Sequence, residues 1–163
     1  MDRRQPILAG AFFLLALIVA VVLIAGGDDG GEEGETSASA DRGEKPTIAA
    51  GEGQPPRQLE VEDLEVGEGP EAQAGDTVTV DYVGALFSDG SEFDASFGGE
   101  PFELQLGAGS VIPGWEEGLE GMQVGGRRQL TIPPRLAYGE QGSPPAIPPN
   151  ATLIFIVDLL AIS

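Results

Sequence analysis

Hydrophobic and polar positions fall into three patterns along this chain. From Ile7 to Ala25 every residue is apolar or small, and the run stops at Gly26-Gly27-Asp28-Asp29-Gly30-Gly31. A helix buried in a soluble core would keep a polar stripe, and this one has none. At ~1.5 Å per residue the run spans about 28 Å, close to a hydrocarbon thickness of roughly 30 Å, which predicts a membrane-spanning helix. From Gly26 to Arg57 the chain holds Gly, Glu, Asp, Ser, Ala and Pro with almost no large apolar residue. Such a stretch cannot bury enough surface to offset its ordering entropy, so a disordered tether is expected.

Period-2 alternation begins after that. It predicts strands at 77–83, 102–106, 127–132 and 152–160, rich in Val, Ile, Thr and Phe. Asp89-Gly90 and Gly98-Gly99 supply turns between them. A short helix is predicted after Pro113-Gly114, with Trp115, Leu119 and Met122 three to four residues apart on one face, and Val124-Gly125-Gly126 ends it. Antiparallel strands around one amphipathic helix make an α+β domain. The expected organisation is therefore an anchor or signal at 1–25, a linker at 26–57 and a folded domain at 58–163.

Composition narrows the chemistry. The chain has 163 residues and a formal net charge of -19. So acidic a surface repels phosphate backbones, and no nucleic-acid partner is expected. Cys and His are both absent. That removes thiol nucleophiles, Ser-His-Asp triads, an acylated cysteine anchor and the common zinc ligand sets, so no metal is expected. Arg3 and Arg4 precede the apolar run and hold the N-terminus in the cytoplasm, which puts everything after Gly26 outside. A cleavable signal has an apolar core of about 7–15 residues, shorter than this one, although Ala25-Gly26-Gly27 is a weak cleavage site. The expectation is a single-pass protein of a cell membrane, with an extracytoplasmic domain that is secreted if the segment is cleaved. An acidic tether behind one span suggests a bacterial envelope. No feature predicts an obligate oligomer, so a monomer is expected.

Six motif stretches stand in order within the domain. Asp81-Tyr82-Val83-Gly84 leads into Asp89-Gly90-Ser91-Glu92-Phe93-Asp94-Ala95-Ser96, then Pro101-Phe102-Glu103-Leu104-Gln105-Leu106-Gly107. Val111-Ile112-Pro113-Gly114-Trp115-Glu116-Glu117-Gly118-Leu119 follows, and Ala137-Tyr138-Gly139 precedes Ile147-Pro148-Pro149-Asn150-Ala151-Thr152-Leu153-Ile154-Phe155. Together they resemble the FKBP family of peptidyl-prolyl isomerases over roughly the last 105 residues. The resemblance implies a five-stranded antiparallel half-barrel sheet wrapped around the short helix, with a pocket formed by Tyr82, Phe93, Asp94, Phe102, Val111, Ile112, Trp115, Tyr138, Ile147 and Phe155. It also implies roles for Asp94, Tyr138 and the Ile112 backbone N–H in catalysis. Ser110, Ser143 and Ala146 depart from the family's common residues at the pocket rim and bear on substrate preference and inhibitor affinity.

The residues suit that reaction. Rotation about X–Pro crosses a barrier of ~18–20 kcal/mol set by amide resonance, and no covalent bond is exchanged. No nucleophile, base or cofactor is needed. An apolar slot for the proline ring and donors aimed at the twisted amide suffice. Trp115 is the expected floor, and Phe93, Phe102, Val111, Ile112 and Phe155 the walls. For Phe102 and Phe155 ordinary core is an equal reading. The expected clients are proline-containing polypeptides. A non-catalytic, membrane-tethered chaperone or adaptor for proline-containing segments is the alternative. Adjacent Glu116 and Glu117 point ~100° apart on a helix, so an acid hydrolase built on them is discounted; they are expected to favour the helix dipole. Asp158 is expected to face solvent.

Overall fold

The computed structural model describes residues 43–163. The predicted anchor Ile7–Ala25 and the first part of the predicted linker lie outside the described residues. Among those described, no helix is long and apolar enough to cross a membrane.

The strands are β1 (Glu60–Glu65), β2 (Thr77–Leu86), β3 (Glu92–Ala95), β4 (Phe102–Gln105), β5 (Arg127–Ile132) and β6 (Leu153–Ile162). They form one antiparallel sheet in the order β1-β5-β6-β2-β3, with β4 also paired to β2. β3 meets Val83–Ala85 and β4 meets Thr77–Val80, so the two short strands share one position along β2. The five-stranded expectation becomes six strands in five positions. β1 was not legible in the sequence, because every one of its residues is exposed. Its ladder to β5 and the Asp63–Arg128 pair, 2.6 Å, hold it there.

The helix, α1 (Pro113–Leu119), lies on β5. Close approach explains its two glycines: a Cβ at Gly114 would come within 2.5 Å of Ile132, and one at Gly118 within 2.6 Å of Leu130. The helix stops earlier than the Trp115-Leu119-Met122 spacing predicts. Gly121, at φ +81°, turns the chain, and Met122 reaches the core from the loop beyond.

Alternation along the two long central strands sorts side chains between two clusters. Val78, Val80 and Tyr82 of β2 and Leu153, Phe155, Val157 and Leu159 of β6 face α1 in the main core. Val83, Ala85, Ile154 and Ile156 face the opposite way and form a second cluster. Ile48 completes that second cluster.

Residues 44–51, expected to belong to a free linker, therefore lie along the sheet's outer face as a strap. The Gly51 N–H donates to the Phe87 carbonyl at 2.8 Å, and Gly90 packs against Ala49 and Ala50. Lys45 pairs with Glu92 at 2.8 Å, and the Glu44 carbonyl accepts from Arg127 at 2.9 Å. The physical reason is the outer face itself, which is too apolar to be left wet. Asp158 also differs from expectation. It is buried and accepts two hydrogen bonds from Arg127, at 2.6 and 2.7 Å, which compensate the cost of burying its charge.

Candidate functional site

Pro113 at the first helical turn fixes the entry of α1, and Trp115 two residues on is fully buried beneath the inner face of the sheet. Three rings meet the indole edge-on: Tyr82 at 5.1 Å, Phe155 at 5.3 Å and Phe102 at 6.1 Å between centroids. Phe93 stands edge-on to Phe155 at 5.5 Å, and Tyr82 edge-on to Phe102 at 6.0 Å. Edge-to-face pairs of this kind add ~0.5–1.5 kcal/mol each beyond their buried area and lock ring orientation. Gly84 makes the arrangement fit, since a Cβ there would come within 2.7 Å of Phe155 and 2.8 Å of Phe93.

Asp94 sits opposite Gly84 in the β2–β3 ladder. Its carboxylate accepts from the Tyr82 hydroxyl at 2.7 Å and from the Ala95 N–H at 2.9 Å. Burial, then the hydrogen bond to Asp94, pushes the Tyr82 phenol far above its ordinary value. Tyr138 is pushed up to about 12, by burial first and the Asp94 charge second. Both hydroxyls thus keep their protons at any physiological pH and remain donors, grouped around one carboxylate.

The segment bearing Tyr138 is closed by its own backbone. A 3-10 turn at Pro134–Leu136 precedes it, the Gly139 N–H donates to the Pro134 carbonyl at 2.8 Å, and the Asn150 N–H donates to the Gly139 carbonyl at 2.9 Å. Ser143 and Ile147 exchange backbone bonds of 2.8 and 3.0 Å, which seats Ile147 in the main core. Ile112 caps α1 by accepting from the Trp115 and Glu116 N–H groups at 3.0 and 3.3 Å. Its own N–H makes no backbone bond among the described residues, so a donor is left beside Val111.

The structure accordingly brings Tyr82, Phe93, Asp94, Phe102, Trp115, Tyr138 and Phe155 into one constellation. Ile112 and Ile147 join the same core, and Val111 packs against it half-buried. Two supporting groups were not singled out from sequence. Asp81 is buried and accepts from the Ser96 hydroxyl at 2.8 Å, while that hydroxyl accepts from the Tyr82 N–H at 2.9 Å. This chain of bonds fixes the end of β3 against Tyr82. Their signal in the sequence is a charged residue inside an apolar strand. Glu116, read as a dipole charge, accepts from the Gly107 and Gly109 N–H groups and so holds the loop that leads to Val111. Among the described residues, no group of three or more acidic side chains is arranged to hold a metal ion.

The family model described as FKBP-type peptidyl-prolyl cis-trans isomerase matches residues 69–160. An FK506-binding protein of Streptomyces anulatus is 54% identical over 121 residues, covering 73% of this chain and 98% of the relative. A 46 kDa FK506-binding nuclear protein of Spodoptera frugiperda is 48% identical over 116 residues, or 71% of this chain but 26% of that much longer protein. The crystal structure of FkpA from Escherichia coli superposes with a TM-score of 0.59 at 42% identity, covering 73% of this chain and 53% of FkpA.

Proposed function

Because the chain belongs to the FKBP-type peptidyl-prolyl cis-trans isomerase family and is a peptidyl-prolyl isomerase, we propose that it turns X–Pro bonds in polypeptides folding outside the cytoplasm, and that the box around Trp115 holds the proline ring. The observation that carries the mechanism is the edge-on aromatic box with Asp94 and Tyr82 bonded at its rim, at 2.7 Å.

In water the planar X–Pro amide is stabilised by resonance and by hydrogen bonds to its polarised carbonyl. Inside the box, apolar rings replace that water and disfavour the more polar planar form. As the C–N bond rotates, the nitrogen pyramidalises and carbonyl polarity falls. The Asp94 charge lies near the rotating bond and favours this redistribution, and the Tyr82 hydroxyl fixes the carboxylate in place. The Ile112 N–H and the Tyr138 hydroxyl bind flanking substrate carbonyls, so the chain on either side of proline is held while the bond turns. No proton is transferred and no cofactor takes part. Proline-containing polypeptides are the substrates, and a monomer suffices because one chain supplies every group named.

The extracytoplasmic site of action rests on the sequence: Arg3-Arg4 followed by the apolar run Ile7–Ala25. On that reading the acidic residues after Gly26 stand between the membrane and the domain. A periplasm-dependent reporter fused after Ser163 tests it: activity places the domain outside, and silence with a folded fusion places it inside. The catalytic reading is tested by cis-to-trans relaxation of a Leu-Pro peptide with the full chain and with Tyr138→Phe. Acceleration that weakens several-fold in the variant supports it. Binding of the peptide without acceleration would make the domain a tethered adaptor instead.

A further inference from the structure

A second concavity lies beside the catalytic loop but outside the aromatic box. It is a groove of about 670 Å³ between the segment Gln54–Arg57 and the chain from Pro133 to Glu140, with Asn150 and Thr152 at its side. Pro55, Pro56, Pro133 and Pro134 supply apolar, stiff walls. The Arg135 Nε–H donates to the Arg57 carbonyl at 3.3 Å, which ties the two walls together. One wall, residues 54–57, lies outside the stretch 69–160 that matches the family model. The groove therefore depends on a segment that precedes the stretch matched by the family model.

Charge marks it out. The protein carries 27 acidic against 8 basic side chains. Among the described residues Lys45, Arg127 and Arg128 each hold a carboxylate within hydrogen-bond distance. Arg57 and Arg135 are the remaining basic groups there, neither is in an ion pair, and both line this groove. Glu140 is the one carboxylate on the lining, so the groove keeps a net positive charge on an otherwise acidic domain. Gly139 and Glu140 follow Tyr138 directly, so the groove continues from the catalytic rim. An extended chain advances ~3.3 Å per residue, so a client held at proline can reach it within a few residues.

We propose that this groove is a second substrate subsite, which takes an acidic stretch of the same polypeptide whose X–Pro bond is being turned. Guanidinium forks suit carboxylates, and the proline walls give apolar backing to an extended chain. The subsite would let an acidic enzyme retain clients that its general field repels. The inference rests on the proposed catalytic pocket, and its test separates the two.

Full-length protein is assayed with a neutral Leu-Pro peptide and with a series in which an Asp-Glu stretch is placed two to eight residues to either side. At low salt the best-placed acidic peptide should show kcat/KM roughly fivefold above neutral, the gain expected of two exposed pairs. Arg57→Gln with Arg135→Gln should abolish that preference and leave the neutral peptide unchanged. Salt near ~0.15 M should shrink it, because such pairs are screened. Fluorescence anisotropy of a proline-free acidic peptide reads the groove without turnover, so a failed isomerase assay would not mask it. Equal kcat/KM for acidic and neutral peptides, with no anisotropy change, would overturn the proposal. So would a preference that survives the double variant, or one that favours Lys-rich extensions. An acidic preference that emerges only when residues 26–41 are deleted would assign the groove to the chain's own acidic residues and would also overturn it.

Discussion

The inner and outer faces of the sheet both bury apolar side chains, but of different kinds. Inside, Tyr82, Phe93, Phe102, Trp115 and Phe155 meet edge-on around a carboxylate. Outside, the buried residues Val83, Ala85, Ile154 and Ile156 are aliphatic or small and are covered by Ile48 from the strap, with Phe87, Ala95 and Phe97 packed half-buried around them. Rings that meet edge-on lock one another's orientation, which aliphatic side chains do not. On the proposed function, the inner face admits the proline ring of the substrate. The outer face is built to exclude water, and its cover is a segment tied down by one backbone bond, a hydrogen bond from Arg127 and one exposed ion pair.

This contrast predicts effects of graded size. Trp115→Ala should be the most severe, removing the ring that three others touch. The expected cost is about 3–5 kcal/mol in urea unfolding and on the order of 100-fold in isomerase activity, measured on the fraction still folded. Ile48→Ala on the outer side should cost about 2 kcal/mol, the low end for a truncated core residue, because the strap can resettle. Its activity per folded molecule should match wild type. If that variant lost activity as well, the two faces would not be separable.

Asp94→Ala reverses the pattern: about tenfold in turnover, or ~1.4 kcal/mol of barrier, with the urea midpoint nearly unchanged. The pH dependence sharpens the point. Both tyrosines hold their protons more tightly folded than unfolded, with Tyr138 at about 12 against an ordinary value near 10. Stability from these groups is therefore complete below about pH 10 and is lost as pH rises through the folded values. Activity should be flat from about pH 6 to 9, since neither hydroxyl titrates there. The smallest effect belongs to Lys45→Ala. Its pair with Glu92 is 44% and 45% exposed, so less than about 0.5 kcal/mol is expected, read as a shift in the urea midpoint.

The inner face was legible chiefly through the family resemblance, whose motifs carry Tyr82, Trp115 and Phe155; strand alternation sorts Tyr82 and Phe155 inward, while Trp115 reaches the same core from α1. The outer face was not. Its cover is one apolar residue, Ile48, within a stretch of Gly, Glu, Pro and Ala that reads as a linker. A signal for it did exist: Leu153 to Leu160 is apolar at both odd and even positions, apart from Asp158, which means that both faces of β6 must be covered. Asp158 was misread for the same reason, since Arg127 compensates it only once β5 lies alongside. β1 escaped notice because an exposed edge strand such as Glu60–Glu65 has no buried face to impose alternation. Its charges instead protect the edge from pairing with other chains.

The central claim is that catalysis belongs to the inner face alone. The direct measurement is the cis-to-trans relaxation rate of a short Leu-Pro peptide, per folded molecule, for the full chain, Asp94→Ala and Ile48→Ala side by side. The account predicts a rate about tenfold lower for Asp94→Ala and a wild-type rate for Ile48→Ala. A wild-type rate for Asp94→Ala, or an equal loss in both variants, would contradict it.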